Sequence, residues 1–515
     1  MTSAALFDAP SVPYFSTITI PALPNLTLSE DEQKLISRLQ MRQWWYRSQM
    51  LLTDAYYRGE QVITDLGIAI PPQLSGLRTL VGWPRIAVDP LVLRLNVESF
   101  RLPGATDSDS DLTDLWNQMQ GEQGLLYKDC LVKGRGWMML GSPASPGDLP
   151  LICVESPLNV TALWDVRSQL PEALLQTYWF EGQRHAAFYT PDQTIHIGSD
   201  ENGTWSVTDR DQHGFGFVPA VRVANEPESD RRDGRSEITA EIMSITDAAC
   251  RTLLGMEVAR EFYSVPQKYI LGATEADFQN ADGTAKAAWS TYISHILALE
   301  ADEEGAPPTV GQFKAMDPTV HTKIIEMYGS QMAGILGAPP QDLGLYTQGN
   351  PISAEALQVS ESRRDRYARW KQKSYGPRLV SGVQMATRFM NGGKVPDKYR
   401  RMEADWTPPE ILNIAAETDA AAKQVQDGIV PARSDVVLKR LRYTAIERAQ
   451  LAQDFAADEA AQILAELATS LQAKQARADN MVASNIRSGP NIPGTGTQPP
   501  ATSPPAAPDV STYHG

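Results

Sequence analysis

The sequence predicts an α+β protein, and three observations carry that reading. Short apolar or alternating runs, parted by turn residues, fill 136–225 in the manner of an antiparallel sheet. Long segments on either side repeat apolar residues at three- and four-residue steps, which is the helical period. Two of those helices bracket a compact insertion at 265–316.

In chain order, residues 1–28 are rich in Pro and Thr and read as an extended N-terminal arm. No basic start followed by an apolar core marks a secretory leader there. Ser29 with Glu32 forms a capping-box pattern, and Glu30 and Asp31 suit the positive end of the helix dipole. Leu35, Ile36, Leu39, Trp45 and Leu52 continue an apolar side, and Gly59 offers a left-handed stop. The pair Trp44 and Trp45 reads as core or as subunit-contact surface. Asp107, Asp109, Asp111 and Asp114 could suggest a calcium loop, but Leu112 stands where that motif needs Gly. They read instead as a solvated turn capping a helix over 111–120.

The strand candidates are Leu151–Val154, Val160–Trp164, Leu174–Phe180, His185–Tyr189 and Val218–Val223. His185, His196 and His213 lie among them at spacings that match no common zinc pattern. A long helix then opens at Gly234-Arg235-Ser236, with Ile238, Ile242, Ile245, Ala249, Leu253 and Met256 on one stripe, and stops at Val265-Pro266. The insertion after it holds a short helix with Trp289 and Tyr292 and the acidic run Glu300, Asp302, Glu303 and Glu304. Asp317-Pro318 starts the second long helix, and Gly337 with Pro339 and Pro340 ends it. A loop through Tyr346, Thr347, Gln348 and Asn350 leads to Ser353, which caps a third long helix reaching Phe389. Its basic middle (Arg363, Arg364, Arg366, Arg369, Lys371 and Lys373) reads as a solvated face or a surface for a subunit or nucleic acid. After Pro408-Pro409 the chain is Ala-rich and helical. Residues 488–515 hold seven Pro and four Gly, with Asp509 the one formal charge, and are expected to be disordered.

Composition narrows the function. A net charge of -16 disfavours gripping nucleic acid by broad phosphate neutralisation. Cys130, Cys153 and Cys250 are odd in number and form no CxxC pair, which argues against a disulfide framework or a Cys-rich zinc site. No apolar run approaches membrane-spanning length, so no membrane partner is expected. GxSxG, HExxH and GK[ST] are absent, so no catalytic residue, metal ligand or cofactor is assigned.

Several phrases in fixed order resemble phage portal proteins, particularly those of siphophages of actinobacteria. They are Trp83-Pro84-Arg85 leading to Val88-Asp89; Asn159-Val160-Thr161 leading to Trp164-Asp165; and Val218-Pro219-Ala220-Val221 followed by Asn225 and Gly234-Arg235-Ser236. Val310-Gly311-Gln312-Phe313 follows, and then Pro339-Pro340 through Asn350 to Ser353-Ala354-Glu355-Ala356-Leu357. The resemblance runs from Ser29 to Gly393; the C-terminal third matches only in general character. It implies a portal fold of wing, helical stem, clip and helical crown assembling into a ring. The wing would take 29–235 and the long helix 353–393. The stem would pair 236–264 with 317–337 around a clip at 265–316. A tunnel loop would take 338–352, the crown 394–484 and a Pro-rich tail 485–515.

The resemblance further implies a dodecameric homo-oligomer at one capsid vertex, assembled in the host cytoplasm. Double-stranded DNA would pass through its channel during genome packaging and ejection. Tyr346, Thr347, Gln348 and Asn350 would lie nearest that DNA. The clip, with Trp289, Tyr292, Glu300, Asp302 and Glu303, would meet the large terminase subunit and later the head–tail adaptor. Major capsid protein and scaffold would be the other partners. Twelve copies would carry about -190 formal charges, which suits a channel that lets DNA slide. Another structural virion protein, such as a scaffold or minor capsid component, and an enzyme with an unfamiliar site stay open as alternatives.

Overall fold

A computed structural model describes residues 27–62, 78–103, 109–143, 145, 147–165, 167, 170–200, 202–263, 268–271, 309–312, 317, 319–345, 354–410, 414–441 and 443–487. The chain divides into two compact units, 1–417 and 418–515.

The first unit opens with α1 (Glu30–Arg58), and its boundaries follow from its caps. Glu32 N–H donates to Ser29 Oγ at 3.3 Å, and Ser29 N–H donates to Glu32 Oε2 at 2.8 Å. Gly59 ends the helix at φ 74°, a conformation that only glycine adopts without strain. Its inner face departs from the expected apolar side. Ile36, Leu39 and Met50 are buried, but so are Gln43 and Arg47, because both donate to the Leu158 carbonyl at 3.0 Å. That polar demand turns Trp44 and Trp45 outward, 67% and 70% exposed, so neither belongs to the core, and Leu52 is exposed with them.

α2 (Trp83–Leu93), β1 (Val97–Arg101), α3 (Ser110–Asn117) and α4 (Gln123–Lys133) follow. Asp109 caps α3 by accepting from Leu112 N–H, and it also accepts from Lys398 and the Tyr399 hydroxyl at 2.9 Å. The acidic turn is thus partly built into the fold. Three strands form one sheet: β2 (Arg135–Gly141) lies between β3 (Leu151–Glu155) and β9 (Ala220–Ala224). Five more make an antiparallel meander in sequence order: β4 (Val160–Trp164), β5 (Pro171–Phe180), β6 (Gln183–Tyr189), β7 (Thr194–Ser199) and β8 (Trp205–Asp211). Ile36 and Leu39 of α1 pack on one face of the meander with Leu175, Phe188, Ile195 and Ile197. The opposite face meets Trp137, Met139, Val218 and Ala220.

Two long helices return to the sheet region. They are α5 (Ala240–Tyr263) and α6 (Thr319–Leu336), with β10 (Lys268–Leu271) and β11 (Thr309–Gln312) paired antiparallel between them. A 3₁₀ turn (Pro340–Leu343) follows α6, and α7 (Ala354–Met390) then runs for 37 residues. Residues 394–410, grouped from sequence with the C-terminal helices, return instead to the first unit. There β12 (Glu403–Trp406) pairs antiparallel with β1. The main core gathers Trp116, Tyr127, Cys130, Met138, Ile238, Ile242, Tyr375, Leu379 and Val383.

The second unit begins within α8 (Ile414–Gln426) and holds α9 (Asp435–Arg440) and α10 (Ala445–Arg487). Ser434 caps α9, and Arg448 reaches Asp435 at 2.7 Å. No helix of the described residues is long and apolar enough to cross a membrane.

Candidate functional site

The hairpin of α5 and α6 is the feature that the core covers only in part. Ile238, Ile242, Met243, Ala249 and Cys250 are buried, whereas no described side chain from Arg251 to Arg260 is. α6 buries Gly329, Met332 and Ala333 and leaves Val320, Met327 and Ile335 exposed along one stripe. Each leg therefore has a rooted end and an end whose described side chains are half-buried or exposed.

The rooted ends are fixed by α7. At the start of α5, the Lys371 ammonium is wholly buried. It contacts Glu237, donates to Asn225 Oδ1 at 2.8 Å, and lies 3.6 Å from Glu226. The Tyr375 hydroxyl donates to the same Asn225 oxygen at 2.7 Å. Asn225 Nδ2 in turn donates to the Arg235 carbonyl and to Glu237 at 2.8 Å. Burial raises the Glu226 carboxyl, but Lys371 and Arg235 more than offset it and hold the group below its ordinary value. At the end of α6, Arg363 donates to the Gly334 carbonyl at 2.9 Å and Arg364 to Asp342 at 2.6 Å. Arg94 bridges Glu361 and Asp365 at 2.7 and 2.9 Å, holding α7 against α2.

Two sequence expectations are corrected here. The basic run of α7 is not one solvated face, because Lys371 and Arg364 point inward beside Ala368, Tyr375 and Leu379. That i, i+4, i+7 stripe was readable in the sequence, but the charges on it hid its direction. Nor does Gly234-Arg235-Ser236 open α5. Glu237 N–H and the Ser236 hydroxyl both donate to the Leu131 carbonyl, at 2.8 and 3.2 Å, which holds the segment as a turn until Ala240. Gly234 sits at φ 80°, where a Cβ would lie 2.3 Å from the Gly134 carbonyl oxygen.

Asp317 caps α6 as expected, accepting from Thr319 N–H at 2.9 Å. Past α6, Leu345 packs on Gly329, so the 340–345 segment is anchored. Tyr346, Thr347, Gln348 and Asn350 lie outside the described residues, as do Trp289, Tyr292, Glu300, Asp302 and Glu303, residues 1–26 of the N-terminal arm and 488–515 of the tail, whose first three residues, 485–487, instead complete the last helix. His185 stacks on Tyr178 and His213 bonds Thr194, and among the described residues no three of His, Cys, Asp and Glu are grouped to hold a metal.

A family model described as phage portal protein, SPP1 Gp6-like, matches residues 33–472. The chain belongs to this portal protein family. The portal protein of Mycobacterium phage D29 is 34% identical over 430 residues, covering 81% of this chain and 87% of that one. The portal protein of Mycobacterium phage L5 is 34% identical over 385 residues, covering 73% and 78%. Among solved structures, the neck of native GTA particle computed with C12 symmetry matches at 13% identity and a TM-score of 0.40, covering 75% of this chain and 98% of that one. The portal assignment made from the ordered phrases therefore stands, and its actinobacterial flavour agrees with both mycobacteriophage relatives.

Proposed function

We propose that this portal protein works as the subunit of a closed ring, dodecameric in the virion, that conducts DNA through a central channel. The observation that carries the reading is the hairpin. Its base is clamped by Lys371, Arg363 and Arg364, while Val320, Met327 and Ile335 on α6 stay exposed. An apolar stripe on a rigidly rooted leg suits burial against the next copy, in the head-to-tail contact that closes a ring. In this reading α5 and α6 are the stem, the insertion is the clip, and α8 to α10 are the crown. The ring acts as a conduit and docking platform rather than as a catalyst. The clip meets the packaging motor and later the head–tail adaptor.

The residues nearest DNA would be Tyr346, Thr347, Gln348 and Asn350, which join two fixed elements, the anchored 340–345 segment and α7. Their uncharged polar groups suit transient contacts with a sliding duplex. Replacing 346–350 with a Gly/Ser linker spares Asp342, Leu343 and Leu345, so rings should form normally. Packaged DNA per particle should fall. Genome-filled particles at wild-type yield would contradict the loop assignment. Substitutions at Trp289, Tyr292, Glu300, Asp302 and Glu303 should abolish docking of the packaging motor, and unimpaired docking would contradict the clip assignment.

A further inference from the structure

Beside α1, three guanidiniums converge on a single carboxylate. Arg42 and Arg222 both contact Asp233, and Arg135 reaches it at 3.5 Å. The group is not superficial: the side chains of Arg135, Arg222 and Asp233 are 10%, 9% and 12% exposed. The Tyr46 ring lies under Arg135 at 4.4 Å and Arg42 at 5.4 Å, and Arg222 stacks on Trp164 at 3.9 Å. Ring faces attract cations but bring no counter-charge. Arg378 adds a further positive charge within reach of Arg222. Burial pushes the Arg222 guanidinium down to about 10, with Asp233 opposing and the neighbouring arginines reinforcing. The Asp233 carboxyl is raised by burial, yet the three arginines hold it below its ordinary value. Among the described residues, three arginines of the cluster thus share the one carboxylate of Asp233.

Arg42 also borders an outward face. On α1, Met41, Trp44 and Trp45 are 72%, 67% and 70% exposed, at positions that stand side by side on a helix. Tryptophan and arginine are the residue types that dominate binding hot spots, and large apolar groups left together on a surface mark an interaction site. A face of this kind, with a desolvated positive cluster next to it, asks for a partner that brings apolar cover and a carboxylate. The chain itself supplies carboxylates in surplus, with 62 acidic residues against 46 Lys and Arg.

We propose that this face of α1 docks a second copy of the chain, which covers Met41, Trp44 and Trp45 and inserts an acidic side chain toward Arg42, Arg135 and Arg222. The inference rests on the ring reading above and sharpens it by naming one surface that closes the ring. It makes the arginine cluster complete only in the assembly.

The test uses full-length protein, with native mass spectrometry for assembly and circular dichroism for folding. Trp44→Ser with Trp45→Ser alters exposed side chains alone and should melt like wild type, yet need at least about tenfold more protein to assemble. Trp44→Phe with Trp45→Phe should restore assembly. Arg42→Glu should behave like the serine pair. If it misfolds, the tryptophan variants decide. Rings from the serine pair at wild-type concentration would overturn the docking surface and leave the ring reading standing. Normal rings that fail to enter procapsids would give the face to a capsid partner and overturn the second-copy assignment. Wild-type protein that never assembles would overturn both readings.

Discussion

The two units of this portal protein hold their helices in opposite ways. In the first, α7 buries Ala368, Lys371, Tyr375, Leu379, Val383 and Ala386 against sheets and helices brought from far along the chain. In the second, α10 is 43 residues long, and past Phe455 every described side chain is exposed. Ile463, Leu464, Leu467 and Leu471 form an apolar stripe on it that its own unit leaves uncovered. Among the described residues of that unit, few are buried: Ala421, Val437, Leu438 and Arg448. One unit is stabilised by its interior, the other by local helix propensity plus whatever neighbours supply. A chain built this way should have a subunit fold that survives alone and a C-terminal region whose stability depends on assembly.

The contrast can be tested by substitutions of decreasing effect. Lys371→Ala leaves Glu237 and Glu226 without their buried cation and should destabilise the first unit by about 3–5 kcal/mol in urea unfolding. Near-wild-type stability would mean that the α7 clamp is not what roots α5. Gly234→Ala forces a side chain into a left-handed turn against the Gly134 and Asn225 carbonyls, and should lose about 2–3 kcal/mol by the same measurement.

Acid gives a smaller, directional effect. Glu226 and Asp233 have folded pKa values below their unfolded ones, since paired cations outweigh burial. Their stabilisation is complete above the unfolded values near 4.5 and 3.8 and is lost as pH falls through the lower folded values. Asp129 and Glu155 run the other way, raised by burial, so their protonated forms suit the fold and their contribution fades as pH rises. Glu32 and Asp109, paired with Arg210 and Lys398, are lowered as well, so the lowered carboxylates outnumber the raised ones and the melting midpoint of the first unit should drop between pH 5 and pH 3. Last, Leu464→Ser with Leu467→Ser should change the first unit's unfolding by less than about 0.5 kcal/mol while weakening assembly. Equal losses in both readouts would erase the distinction between the units.

Much of the fold was legible where one physical signal acted alone. Ser29, Glu32 and Gly59 fixed α1, Asp317 and Gly337 bounded α6, and Val160–Trp164 matched β4 residue for residue. Reading failed where two demands met in one segment. Gln43 and Arg47 serve the Leu158 carbonyl, so α1 turns its tryptophans outward against the hydrophobic rule. Lys371 is buried because it finds the Glu237 carboxylate 134 residues earlier in the chain, and Arg364 because Asp342, in the turn that follows α6, meets it. β2 is buried on both faces, so it shows no alternation, and β12 pairs with a strand some 300 residues earlier. The loop and clip residues were named through family resemblance, since no local pattern marks a polar loop as a DNA contact.

The most direct measurement is negative-stain electron microscopy of the purified full-length protein with its mass determined by light scattering. The account predicts closed rings with a central hole and about twelve copies, or a neighbouring number. A monomer or dimer that persists when scaffold is added would contradict it.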